Sequence, residues 1–151
     1  MAKIKELRAA LETTSALKLA KIDKEILDAV ISNHIAIHNA VKKVEEDFET
    51  ARKGFMKGIE ERFEEYNKLA QKINISEPDE QRKILKTLNH DYPDVDDVAK
   101  KITEYKEKMD QMDIPIKIVP INRAKYLESL KAANPDYTVR DIVNVDFLLT
   151  E

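Results

Sequence analysis

Apolar residues recur at three- and four-residue steps from Ile22 to Ile73: Ile22, Ile26, Val30, Ile37, Val41, Val44, Phe48, Ala51, Phe55, Ile59, Phe63, Tyr66 and Ile73. Lys, Glu, Asp and Arg fill the positions between them. This is the period of an amphipathic helix. Unbroken, it would make a rod of about 75 Å at ~1.5 Å per residue, far beyond an ordinary globular helix. Such a stripe must be covered, and the rest of the chain is expected to supply much of that cover. Only Gly54 and Gly58 are glycines in 151 residues, where average usage would give about ten. So few cheap sites for positive φ argue against hairpin-rich β architecture and against a glycine-rich phosphate cradle. The two glycines also mark the expected close approach, bend or interruption of the rod, since each costs roughly 1 kcal/mol within a helix.

The flanking segments read as shorter helices. Ile4, Leu7 and Leu11 define about three turns ending at Thr13-Thr14-Ser15, whose hydroxyls compete for the backbone. Asp23 offers an N-cap and hence a break near residues 21–23. Ser76 as N-cap and Pro78 in the first turn open a helix over 77–88, with Ile84, Leu85 and Leu88 apolar. Asp94 is expected to cap a further helix reaching about Met112. From Ile114 to Ile121 the chain is dense in β-branched residues and carries Pro115 and Pro120, as an edge strand or an arm laid on helices would. Asn122 is placed to cap a helix over 123–132 with Ala124, Leu127 and Leu130 inward. Thr138 and Asp141 have the spacing of a capping box, and Val145, Phe147, Leu148 and Leu149 close the chain on an apolar note. The expected fold is mainly α, a long helical hairpin or small bundle with a short β or extended segment near the C-terminus. Residues 1–113 form its helical body and 114–151 a small strand-helix element that depends on it.

Composition removes several functions. There is no cysteine, so disulfides, thiolate metal sites and Cys–His nucleophiles are excluded. The formal charge is −3, and neither half is basic: residues 1–75 carry 14 Lys+Arg against 13 Asp+Glu, residues 76–151 carry 12 against 16. Nucleic-acid binding needs a local basic excess that is missing, and the Phe48–Tyr66 aromatics sit at helical spacing rather than as a stacking platform. No run approaches the ~20 apolar residues of a membrane span, and the charged start does not read as a secretory signal. A cytoplasmic protein, or one of a host cell's cytoplasm if viral, is expected. No nucleophile elbow or phosphate loop is present, and no cofactor is expected.

Two clusters could carry chemistry. His34 and His38 lie four apart, as two metal ligands on one helix face would, but Ile35 stands where a zinc protease has its glutamate. Asp91, Asp94, Asp96 and Asp97 crowd Tyr92-Pro93 without the glycine and terminal glutamate of a calcium loop. A helix N-terminus that attracts acids is the simpler account of that cluster. A small metal-binding enzyme or ligand sensor using His34, His38 and the aspartates is the alternative to the main expectation. That main expectation is a non-enzymatic interaction or assembly protein, a coiled-coil-like homo-oligomer or a binder of another protein. Its working surface is expected at Phe48, Phe55, Ile59, Phe63, Tyr66, Ile116, Ile118 and Phe147.

Leu19-Ala20-Lys21 leading to Val44-Glu45-Glu46-Asp47-Phe48-Glu49-Thr50-Ala51-Arg52 resembles the E-x-F-E-x-A-R stretch of small helical proteins encoded by tailed phages and prophages. The isoleucine-rich, proline-bounded segment, the short helix after it and Asp146-Phe147-Leu148-Leu149 are similar to the end of the same proteins. Residues 74–113 fall outside the likeness. The resemblance implies a long helical hairpin followed by a small C-terminal element and a viral origin; particle assembly or interference with a host factor is expected of the interaction protein as a consequence of its uncovered stripe. The resemblance assigns no activity or site.

Overall fold

The apolar spacing after Ile22 does build the longest helix, but that helix runs only from Lys24 to Met56. The computed structural model describes all 151 residues. In chain order they form β1 (Ala2–Lys3), α1 (Ile4–Ser15), α2 (Lys24–Met56), α3 (Glu60–Lys72), α4 (Pro78–Asp91) and α5 (Pro93–Gln111). Then come β2 (Asp113–Ile114), β3 (Ile121–Asn122), α6 (Arg123–Lys131), α7 (Val139–Val145) and β4 (Leu149–Thr150), with 3-10 turns at Ile73–Ile75 and Asp146–Leu148. The fold is mainly α.

The expected rod is therefore two helices. Gly58, at φ 87°, sits in the left-handed region just past the end of α2, where an L-residue is strained, and its N–H is held by Glu60 Oε2 at 2.9 Å. Gly54 does not mark a bend or a close approach: it lies within α2, and a Cβ added there would meet nothing within 4 Å. The two glycines should respond oppositely to alanine. Gly54→Ala is expected to stabilise by about 0.5–1 kcal/mol and Gly58→Ala to destabilise by about 1 kcal/mol, read from urea unfolding. The entry break is as expected, with Lys21 at φ 61° and the Asp23 carboxylate accepting from Glu25 N–H at 3.0 Å.

Helix starts were legible where a side chain reaches the backbone. Asn122 caps α6 through Lys125 N–H at 3.1 Å, and Thr138 and Asp141 close a reciprocal capping box on α7. Two expected caps are corrected. Glu77, not Ser76, precedes α4, because Pro78 takes the first helical position with its φ already set; Ser76 Oγ instead donates back to Lys72 O at 2.6 Å. Likewise α5 begins at Pro93, which places Asp94 inside the first turn rather than at the cap.

The isoleucine-rich stretch pairs only at its two ends. β2 runs antiparallel to β1, with Ala2 opposite Ile114, and β3 runs parallel to β4, with Ile121 opposite Leu149. Pro115 and Pro120 bound an unpaired strap, which Asn33 of α2 grips. The Asn33 amide donates to Val119 O at 2.8 Å and its carbonyl accepts from Val119 N–H at 2.7 Å.

The chain divides into two compact units. One joins Met1–Glu45 to Met109–Glu151; the other is Glu46–Lys108. The first holds most of the core, including Ile4 and Leu7 of α1, Ile37 of α2, Leu130 of α6 and Val145 of α7. In α6 the buried aromatic is Tyr126, while Ala124, expected inward, is exposed. In the second unit only Ile84, Leu88 and Val95 are fully buried.

Candidate functional site

Five of the eight residues expected at the working surface lie in the Glu46–Lys108 unit. Phe48 and Phe55 are seven apart on α2 and both meet Tyr105 of α5, with ring centroids at 5.9 and 6.2 Å. Tyr66 of α3 packs edge-on against Tyr92 at 6.0 Å. Ile59 and Phe63 are half-buried beside them in the chain. The remaining three, Ile116, Ile118 and Phe147, are half-buried in the other unit, the first two on the strap and the last in the turn before β4. The eight do not form one surface within either unit.

Arg62 organises the α3 end of this assembly. Its guanidinium makes a two-pronged contact with the Asp94 carboxylate at 2.9 Å for both bonds, donates to Asp91 O at 2.6 Å, and lies 5.0 Å above the Tyr92 ring. The Tyr92 hydroxyl donates to Glu65 at 3.3 Å. The paired guanidinium holds the Asp94 carboxyl below its usual range, and desolvation with the Glu65 charge raises the Tyr92 phenol. The geometry ties α3 to the α4–α5 junction with exposed charges, a fastening that salt weakens. In the sequence Arg62 looked like one more charge on a solvated face. Its role depends on Asp94 being 32 residues away, which no local pattern signals.

Three of the four aspartates in the cluster have a neighbouring partner: Asp94 is paired with Arg62, Asp96 with Lys100 at 3.1 Å, and Asp91 meets the His90 ring at 2.7 Å. His34 and His38 do share one side of α2, but they belong to the other unit. His34 Nδ1 is bonded to Thr14 Oγ1 at 2.7 Å, a contact between α2 and α1. No group of three or more His, Asp and Glu side chains is placed to hold a metal ion.

The Met1–Glu45 and Met109–Glu151 unit contains shallow clefts, one of them about 280 Å³ and lined by Glu25, Asp28, Ser32, Asn122 and Lys125 with Ile26, Ala29 and Ile121. The hydroxyls of buried Tyr126 and half-buried Tyr137 meet at 2.7 Å, Tyr137 also donates to Asp141 O at 3.4 Å, and burial pushes the Tyr126 phenol strongly up. A phenol so shifted stays protonated and serves the packing of α6 on the turn before α7.

The cover of α3 is only partial. Phe63, Tyr66 and Leu69 stand on this helix of thirteen residues, yet none of its residues is buried. Beyond it Ile75 is 87% exposed and Leu85 48% exposed.

Fold and surface together define a mainly α-helical protein with two minimal strand pairs, and no helix is long and apolar enough to cross a membrane. Comparison with protein-family models, with curated proteins and with solved structures finds no match to this chain.

Proposed function

We propose that this chain is a non-enzymatic interaction protein that assembles with itself or with another protein through its aromatic helical stripe. The observation that carries this reading is the incomplete cover of α3: its apolar side chains sit at helical spacing, and none is buried. Apolar surface arranged in a line on a helix is what a partner helix or groove receives. The pairing of Asp94 with Arg62 and of Asp96 with Lys100 weighs in the same direction, because it gives those carboxylates a structural use. The likeness to phage-encoded helical proteins favours a viral chain acting in a host cell's cytoplasm, where the incompletely covered stripe would serve particle assembly or interference with a host factor.

Light scattering over a range of micromolar concentrations tests the reading, together with binding of an apolar dye. A mass rising above the 17.4 kDa chain, or dye binding abolished by Phe63→Lys, is the expected result. A stable monomer that binds no dye overturns it.

A further inference from the structure

The core-facing side of α2 in the Met1–Glu45 segment carries Ile26, Val30, Ile37, Val41 and Val44. Opposite that side runs a second series at alternating four- and three-residue steps: Lys24, Asp28, Ile31, Ile35, His38 and Lys42. This is the spacing of a coiled-coil seam; Ile31 and Ile35 point away from the protein's own core, while Asp28 stands at the rim of the cleft beside the strap and His38 and Lys42 at the rim of the cleft beside α1. Its two central members are exposed isoleucines, Ile31 at 42% and Ile35 at 53%. Asp28 and His38, which flank them, make no hydrogen bond or ion pair within the chain.

The series is complementary to itself when reversed. Set antiparallel against a second copy, in layers whose residue numbers add to 66, Ile31 meets Ile35 of the second copy and Ile35 meets its Ile31. The next layers outward set Asp28 against His38, and His38 against Asp28. The outermost pair, Lys24 against Lys42, is repulsive and limits the seam to four attractive layers. A parallel arrangement sets the Asp28 carboxylates against each other, so charge selects the antiparallel one. A two-fold axis through the level of Asn33 generates all these contacts at once, as an isologous interface requires.

We infer that the outer face of α2 between Lys24 and Lys42 is a docking surface for a second copy of this chain, packed antiparallel. This surface is separate from the α3 stripe and does not rest on it.

The cysteine-free chain makes the register directly testable. Asp28→Cys and His38→Cys variants are oxidised mildly, separately and as a mixture, at about 100 µM protein. The mixture is expected to form disulfide-linked dimer at least tenfold faster than either variant alone. Identical positions lie about 15 Å apart along the axis in this register, beyond disulfide reach, while positions 28 and 38 oppose one another. In the unmodified sequence Ile35→Lys is expected to weaken self-association at least about tenfold with an unchanged far-ultraviolet spectrum, because the site is solvent-facing. Asp28→Arg should weaken it as well, and adding His38→Asp should restore it. Cross-linking of Asp28→Cys with itself as fast as in the mixture overturns the arrangement, and so does a monomer at every concentration. Association that survives Ile31→Lys with Ile35→Lys but is lost in Phe63→Lys overturns the α2 seam and leaves the α3 stripe standing; the reverse result separates them the other way.

Discussion

Asn33→Ala is expected to lower the free energy of unfolding by about 2–4 kcal/mol in urea denaturation, with little change in the slope. Asn33 is 1% exposed on the core face of α2, an expensive place for an amide unless both its donor and its acceptor are used. Both are used, at 2.8 and 2.7 Å, on the two backbone groups of Val119. A strand partner would satisfy the strap in the same way, but the prolines at 115 and 120 deny it a ladder. Asn33 is thus the substitute for a missing strand. Truncation removes two hydrogen bonds and leaves a void in the core. Asn33→Asp should be worse at neutral pH, since it replaces a donor with a buried charge. A loss below about 1 kcal/mol for Asn33→Ala would show that water replaces the amide without cost and that the strap is held by other contacts.

Ile37→Ala is expected to cost about 3–4 kcal/mol, within the range for truncating a fully buried aliphatic residue. Ile37 is 0% exposed. Two residues earlier on the same helix, Ile35→Ala should stay within about 0.5 kcal/mol in the dilute protein, because the methyl groups removed already face water. Helical position alone separates the two isoleucines, so the pair isolates burial from propensity and from residue type. Comparable losses at both positions would mean that α2 is rotated from the orientation described.

The helices were legible because each carries its own signal: a period, a capping side chain, or a proline that fixes the first turn. Thr138 with Asp141 and Asn122 with Lys125 are such local signals, and they appear in the structure as hydrogen bonds. The strands were only half legible. Ile114 and Ile121 read as extended, but a strand of two residues has no period, and nothing in Ala2 or Leu149 announces that it pairs across more than a hundred or nearly thirty positions. Asn33 escaped notice because an apolar-periodicity reading passes over a polar residue, even when it stands on the buried face. Tyr126 was passed over in favour of Ala124 for a related reason. In a helix of nine residues, one-residue differences in phase decide which side chain goes in. At the candidate surface, the aromatic spacing was visible in the sequence, whereas the Arg62–Asp94 fastening and the separation of the eight residues between two units were not.

The strand pairs at Ala2 and Leu149 have a bearing on how the chain is made. Residues 46–108 are contiguous and can organise as soon as they leave the ribosome, whereas the segment before them is completed only by residues 109–151. During the ten seconds or so between translation of Glu45 and translation of Thr150, the apolar sides of α1 and α2 lack their partners. The larger core is therefore the later of the two to be complete. A nascent chain stalled before β3 would present those sides to chaperones and proteases, so residues 121–151 are needed to close them.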